Sequence, residues 1–186
     1  ALFTGLVFAK FSRSTARIAF SDFATLSPMD GVPTLSIRVG NERSSHVAET
    51  IVRMSMVRTE RTVEGMTFYR MYDLALVRER QPALTRSWTV MHKVDDKSPF
   101  FGASPDSLVA DEVELIVTIS GTDDTTMQPV HARHAYLADE ILWGARFADV
   151  LSEIEGGRMR LDVGKFHEVI ATPATKEFPH SWKESG

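Results

Sequence analysis

Two neighbouring carboxylates, Asp123 and Asp124, sit in the run Gly121-Thr122-Asp123-Asp124-Thr125-Thr126, directly after an alternating apolar segment. Paired acids can share a proton, attract a cation or divide general acid and base roles. In a turn that follows a strand, such acids are more often simply solvated. His131-x-x-His134 is a second candidate. Two histidines three apart share a metal on a helix, but on a strand they point to opposite faces. Val130, Ala132 and Tyr136 alternate with His131 and Arg133 as a strand would. With no cysteine and no His-Glu-x-x-His motif, a zinc set has no further ligands in sight. Interface or core histidines are therefore expected, and no metal site. Lys10, Arg13 and Arg17 form a third group, at spacing i, i+3, i+7. On a helix that spacing puts three cations on one face. They follow an apolar run that ends at Ala9, where anionic headgroups would meet a helix leaving a bilayer.

Other chemistries find no support. There is no Gly-x-Ser-x-Gly elbow, no phosphate-cradling Gly-x-x-x-x-Gly-Lys and no dinucleotide glycine fingerprint. Trp88, Trp143 and Tyr136 could build a ligand cage, but in a β-sandwich such rings usually serve the core. The formal net charge of -4 and isoelectric point of about 5.9 argue against a nucleic-acid partner, which needs a basic face.

The elements that must position these groups are mostly strands. Leu35, Ile37 and Val39 alternate with Ser36 and Arg38; Val52, Met54 and Met56 alternate with Arg53 and Ser55. Val113, Leu115, Val117 and Ile119 alternate with Glu114, Thr118 and Ser120. Period two means one buried and one wet face. Asp30-Gly31, Glu64-Gly65 and Glu155-Gly156-Gly157 supply turns between such runs. The pattern predicts an all-β, antiparallel sandwich. Ser104-Pro105 predicts one short helix, with a serine cap and proline at its first position. The first 17 residues are the other helical candidate. Residues 172–186 turn to Pro, Lys, Glu and Ser, with Trp182 as the one large anchor expected, and predict a loosely held tail.

Six segments, in order, give the chain a family resemblance. The segment from His131 to Gly144, containing Tyr136-Leu137-Ala138-Asp139-Glu140-Ile141-Leu142-Trp143-Gly144, resembles the late part of the cytoplasmic domain of inward-rectifier potassium channels. Thr4-Gly5-Leu6-Val7-Phe8-Ala9 resembles the cytoplasmic end of the inner helix in that family's bacterial branch. Arg38-Val39-Gly40-Asn41-Glu42-Arg43, Tyr72-Asp73-Leu74-Ala75-Leu76-Val77-Arg78, Ser87-Trp88-Thr89-Val90-Met91-His92 and Lys165-Phe166-His167-Glu168 are similar to further landmarks. Together they cover about residues 2–169.

The resemblance implies an immunoglobulin-like β-sandwich over residues 18–171, with residues 1–17 as the end of the inner helix and a tether. It implies a homotetramer on the cytoplasmic side of the cell membrane, coupled to its own transmembrane pore domain. No segment here resembles the potassium filter Thr-Val-Gly-Tyr-Gly. No cofactor is implied; potassium would permeate, and magnesium or polyamines could block. Lys10, Arg13 and Arg17 correspond to a stretch that meets anionic lipid, although Arg13-Ser14 stands where the family usually has Arg-Pro. Gly121, Thr122, Asp123 and Asp124 correspond to a loop narrowing the axial ion path, with both acids expected at its tip. Glu64 corresponds to a pore-facing acid lower in the vestibule. Ser120 stands where many animal members carry another acid, which should weaken polyvalent block. The class also carries a voltage-gated label. A soluble immunoglobulin-like binding module is the alternative, and an enzyme is not expected.

Overall fold

Alternation along the chain becomes fourteen strands in the computed structural model, which describes residues 16–183. They are β1 (Ile18–Phe20), β2 (Ala24–Met29), β3 (Val32–Asn41), β4 (Val47–Arg61), β5 (Thr67–Asp73), β6 (Arg80–Leu84) and β7 (Ser87–Lys93). After a short helix α1 (Pro105–Ala110) come β8 (Glu114–Asp123), β9 (Pro129–Leu137), β10 (Ile141–Trp143), β11 (Ala145–Phe147), β12 (Leu151–Ile154), β13 (Arg158–Leu161) and β14 (Val169–Ala171). One five-stranded sheet joins β1, β2, β3, β7 and β10; the other joins β4, β5, β6, β8 and β9. Their inner faces meet in one core. Leu26, Leu35, Ile37, Val39 and Val90 come from the first sheet, and Val52, Met54, Met56, Leu115, Val117, Ile119 and Tyr136 from the second. The all-β sandwich is thus the fold that the alternation predicts, with one parallel pair, β10 on β2, among antiparallel neighbours.

The punctuation works as the turn chemistry requires. Asp30 and Gly31 both take positive φ, 52° and 78°, between Met29 and Val32, which face each other across β2 and β3. A two-residue hairpin loop of that hand matches the twist of the flanking strands. Ser104 caps α1 by accepting from the Ser107 N–H at 3.2 Å, and Ser107 returns the bond to the Ser104 N–H at 2.9 Å. Helix and cap are those read from Ser104-Pro105.

Two expectations need correction. Arg38 lies on the wet face by alternation, yet it is 5% exposed. A third layer covers it. Its guanidinium donates to the carbonyls of Ala148 (2.8 Å), Lys165 and Phe166 (3.2 Å each) and lies 4.7 Å over the Phe147 ring. The second concerns the tail. Through residue 183 it is docked, and its buried anchor is Phe178 rather than Trp182. Phe178 stacks on Trp143 at 6.0 Å, and His180 sets its edge against both rings. The Gly144 carbonyl accepts from the N–H groups of Thr172 (2.8 Å) and Trp182 (3.0 Å). The loop-rich composition hid a strap held by aromatic contacts.

Candidate functional site

The Asp123-Asp124 pair divides into two unlike acids. β8 runs on through Gly121 and Thr122 to end at Asp123, so these three residues are strand, and the turn proper is residues 124–126. Gly121 is where β8 presses closest on β4. A Cβ there would stand 2.5 Å from a Val47 methyl and 2.9 Å from the Ala48 carbonyl oxygen. No side chain fits without parting the strands. Thr122 pairs with Ala48 on one side and Pro129 on the other.

Asp123 is not at an exposed tip. Its side chain is 1% exposed, covered by the segment between β3 and β4. One oxygen, Oδ1, accepts from the N–H groups of Thr125 (2.9 Å) and Thr126 (2.8 Å) and so closes the turn. The other, Oδ2, accepts from the Ser45 hydroxyl and from both Nε (2.9 Å) and Nη2 (2.8 Å) of Arg43. Five donors on one carboxylate favour its charged form. The Ser45 hydroxyl, the turn N–H groups and Arg43 hold Asp123 far below the usual carboxylate range. Sequence offered no sign of this, because Arg43 and Ser45 lie some 80 residues upstream.

Asp124 is the displayed acid. Its side chain is 40% exposed. The backbone exchanges bonds with His46: the Asp124 N–H donates to the His46 carbonyl, and the His46 N–H donates to Asp124 Oδ1, each at 3.0 Å. The imidazole Nδ1 lies 3.4 Å from Oδ2. The turn is thus fixed in place while one carboxylate faces solvent.

The same upstream segment reaches the start of the described chain. Arg43 Nη1 donates to the Ala16 carbonyl at 3.1 Å, and the Glu42 N–H donates to the Arg17 carbonyl at 3.0 Å. Arg43 therefore touches both the backbone at residues 16–17 and the base of the turn. Arg17 takes a φ of 51°, in the left-handed region, so helical spacing does not set its side-chain direction. Lys10 and Arg13 lie outside the described residues.

Glu64 stands apart. It occupies the exposed tip of the β4–β5 hairpin, and hydrogen bonds from its own N–H and from Thr62 lower its carboxyl pKa. From Ile51 to the tip the extended chain spans on the order of 40 Å. An acid the sequence reading missed lies closer to the turn. Glu49 is exposed, at φ 51°, in the bulge where β4 slips register against β8 between Ala48 and Ile51. A bulge re-aims a side chain, and no local residue pattern announces this one. The histidines divide as strand parity requires: His131 is exposed, whereas His134 stacks on Phe20 at 5.2 Å and meets Tyr136 edge-on at 4.5 Å.

Comparison with known proteins decides the family. Residues 18–185 match the model of the inward rectifier potassium channel C-terminal domain. The chain belongs to the inward rectifier potassium channel family. The inward rectifier potassium channel Kirbac3.1 of Paramagnetospirillum magnetotacticum is 43% identical over 169 residues, covering 91% of this chain and 57% of that protein. The human G protein-activated inward rectifier potassium channel 3 is 35% identical, over 93% of this chain and 46% of the relative. The bovine G protein-activated inward rectifier potassium channel 1 is 34% identical over 99% of this chain and 37% of the relative. The chain thus spans about half the length of these curated relatives. A structural match to a Bacteroides uniformis β-glucuronidase, with TM-score 0.21 and 18% identity over 70% of this chain and 13% of the other, bears on neither fold nor function. The voltage-gated label is dropped, since the curated relatives are named inward rectifiers. No helix among the described residues is long and apolar enough to cross a membrane.

Proposed function

We propose that four copies of this domain surround the ion path of a potassium channel on the cytoplasmic side of the cell membrane, and that the domain is not an enzyme. Closed cyclic symmetry would bring four 124–126 turns to one axis. Asp124 then displays a ring of carboxylates, with Gly121 and Thr122 as the rigid strand behind it, and such rings attract cations. Glu64 adds a second ring farther down the vestibule. Potassium is the cargo, and magnesium or polyamines are blockers. Lys10, Arg13 and Arg17 engage anionic lipid and bias the tether, which biases a gate in the pore domain.

The observation that carries the reading is the stapled turn. Arg43 bonds the Ala16 carbonyl on one side and Asp123 on the other, so displacement of the tether bears directly on the base of the turn. A free-standing binding module has no evident use for an exposed acid built so firmly at the end of a sheet. The test is Asp124→Asn in the full-length channel, with liposome flux of a potassium surrogate measured with and without magnesium. Flux and magnesium block are expected to fall while sedimentation still reports a tetramer. Identical flux and block would remove the turn from the ion path. Two hydrophobic spans with a filter motif between them, in the reading frame upstream of Ala1, would separate this reading from the soluble module.

A further inference from the structure

Residues 172–182 close a loop on a single acceptor. Thr172 follows β14 and donates its N–H to the Gly144 carbonyl, and Trp182 returns to donate to the same oxygen. Compact surface loops whose ends adjoin often carry a function of their own. Within this one, Phe178 is buried, while residues 173–177, 179 and 181 are exposed. Some of its bonds are internal: the Thr175 N–H donates to the Phe178 carbonyl at 2.9 Å, and the Phe178 N–H donates to the Thr175 hydroxyl at 3.0 Å. Among the described residues no ion pair involves Lys176, Glu177 or Lys183. The seat therefore consists of Phe178 and His180 against Trp143, with the bonds to Gly144.

That seat is imperfect. The indole N–H of Trp143 and the hydroxyl of Thr172 are buried, and neither has a hydrogen-bond partner among the described residues. A polar group buried without a partner forfeits the hydration it has when exposed. Docking the loop thus sets the burial of one ring against two desolvated groups, whereas the sheets beneath are held by continuous ladders. Segments with few buried apolar contacts open separately from a core. Gly144 makes the close seating possible. Its φ is 73°, and a Cβ there would stand 2.5 Å from both the His180 carbonyl oxygen and the Ser181 Cα. Both are backbone atoms, so any side chain at 144 would lift the loop. The Gly144 N–H meanwhile donates to the Leu26 carbonyl at 2.8 Å, which places the seat at the junction of β2 in the first sheet and the layer that begins at β11.

We propose that residues 172–182 form a displaceable strap. It lifts as a unit from Trp143 and Gly144 while both sheets stay folded, and lifting bares the Trp143 ring together with its indole N–H. The device goes beyond the ion-path reading and does not depend on it.

Tryptic cleavage after Lys176, timed by mass spectrometry on the 186-residue chain, tests it together with amide exchange. Cleavage of a transiently open segment follows the open population. Gly144→Ala is expected to speed cleavage after Lys176 by about tenfold or more, because its Cβ meets the strap backbone. Gly156→Ala is the control. Its φ of 85° imposes comparable backbone strain, but no atom lies within 4 Å of the added Cβ. Cleavage after Lys176 there should stay within about twofold of the parent, since the strain is local to another turn. Phe178→Ala removes the buried ring and should act in the same direction as Gly144→Ala; it also serves if that variant folds poorly. In the parent, the amides of Thr172, Thr175, Phe178 and Trp182 should exchange at least about tenfold faster than those of β3 and β8. Exchange in the strap as slow as in β3 and β8 overturns the proposal, because the segment would then open only with the whole domain. Equal cleavage in the parent, Gly144→Ala and Phe178→Ala overturns it from the other side, because the strap would then not be seated. Equal acceleration by Gly144→Ala and Gly156→Ala also overturns it, since general destabilisation would then account for the cleavage.

Discussion

The second sheet has an acid-bearing turn at each end, and the two are built in opposite ways. At one end residues 124–126 are tied down from outside: Asp123 collects Arg43 and Ser45, and Asp124 bonds the His46 backbone through both its own N–H and its Oδ1. At the other, the tip around Glu64 is tied mainly to itself. The Thr62 N–H bonds the Met66 carbonyl, the Gly65 N–H bonds Thr62, and Arg61 bonds the Gly65 carbonyl. Below that tip the ribbon gains its rigidity from side chains, with Glu60 receiving Tyr72, Arg58 and Arg70. One end is positioned relative to residues 16–17; the other is a stiff spike with no described link to them. A signal arriving along residues 16–17 has a mechanical route to the first turn and none of comparable directness to the second.

Breaking the staple should have the largest effect. Asp123→Asn can still close the turn through its remaining oxygen, but it leaves Arg43 and Ser45 facing a neutral amide in place of Oδ2. The thermal midpoint is expected to drop by several degrees, a large change for a domain of this size. It is also expected to uncouple tether and turn, seen as faster amide exchange in residues 42–46 and 124–128. The acid side follows in sign: the folded pKa of Asp123 lies below its unfolded value, so its contribution is present above that unfolded value and is lost as pH falls through the folded one. Unchanged stability in the asparagine variant would reduce the two ends to equals.

A smaller, separable effect belongs to His92, remote from both turns. Its Nδ1 lies 2.8 Å from the Ala75 carbonyl and so carries a proton, and its Nε2 lies 2.7 Å from the Ser98 hydroxyl, from which the neutral ring accepts. Burial lowers its pKa. Its folded pKa being below the unfolded one, stability is complete above about pH 6.5 and declines as pH falls toward the folded value, by at most about 1.4 kcal/mol per pH unit. Denaturant titrations between pH 7.5 and 5 should show this slope in the parent and a flatter one in His92→Gln. Equal slopes would move the acid sensitivity elsewhere. The smallest effect is expected at the spike: Glu64→Gln should leave the thermal midpoint within the scatter of repeat scans and should not disturb exchange at residues 124–128. A response there would tie the two ends together after all.

What the sequence made legible was whatever repeats or closes locally. Val52, Met54 and Met56 announce a buried face two by two, and Ser104-Pro105 announces its helix within four residues. Family likeness suggested a role for the 121–124 segment. It could not divide Asp123 from Asp124, because the division is made by Arg43 and Ser45, on the far side of four intervening strands. Arg38 failed for a related reason. Alternation tells which way a side chain points from its own sheet, but not that residues 147–166 will return to cover it. Lys10 and Arg13 lie outside the described residues, and the left-handed backbone of Arg17 was not legible in its spacing. Phe178 was overlooked among prolines and charges, since composition records how many apolar residues a tail has and not which ring awaits them.

The Arg38 clamp has a consequence for ionic strength. Its hydrogen-bond partners are three carbonyl dipoles, with a ring face beneath it, and the Asp149 carboxylate acts on it only through its field. At about 1 M salt the screening length is about 3 Å, enough to quiet an exposed pair such as His46 and Asp124. A guanidinium held in a dry pocket by dipoles offers little for mobile ions to screen. High salt should therefore loosen exposed charge pairs while the C-terminal layer stays seated, making brine a selective solvent for one part of a single domain.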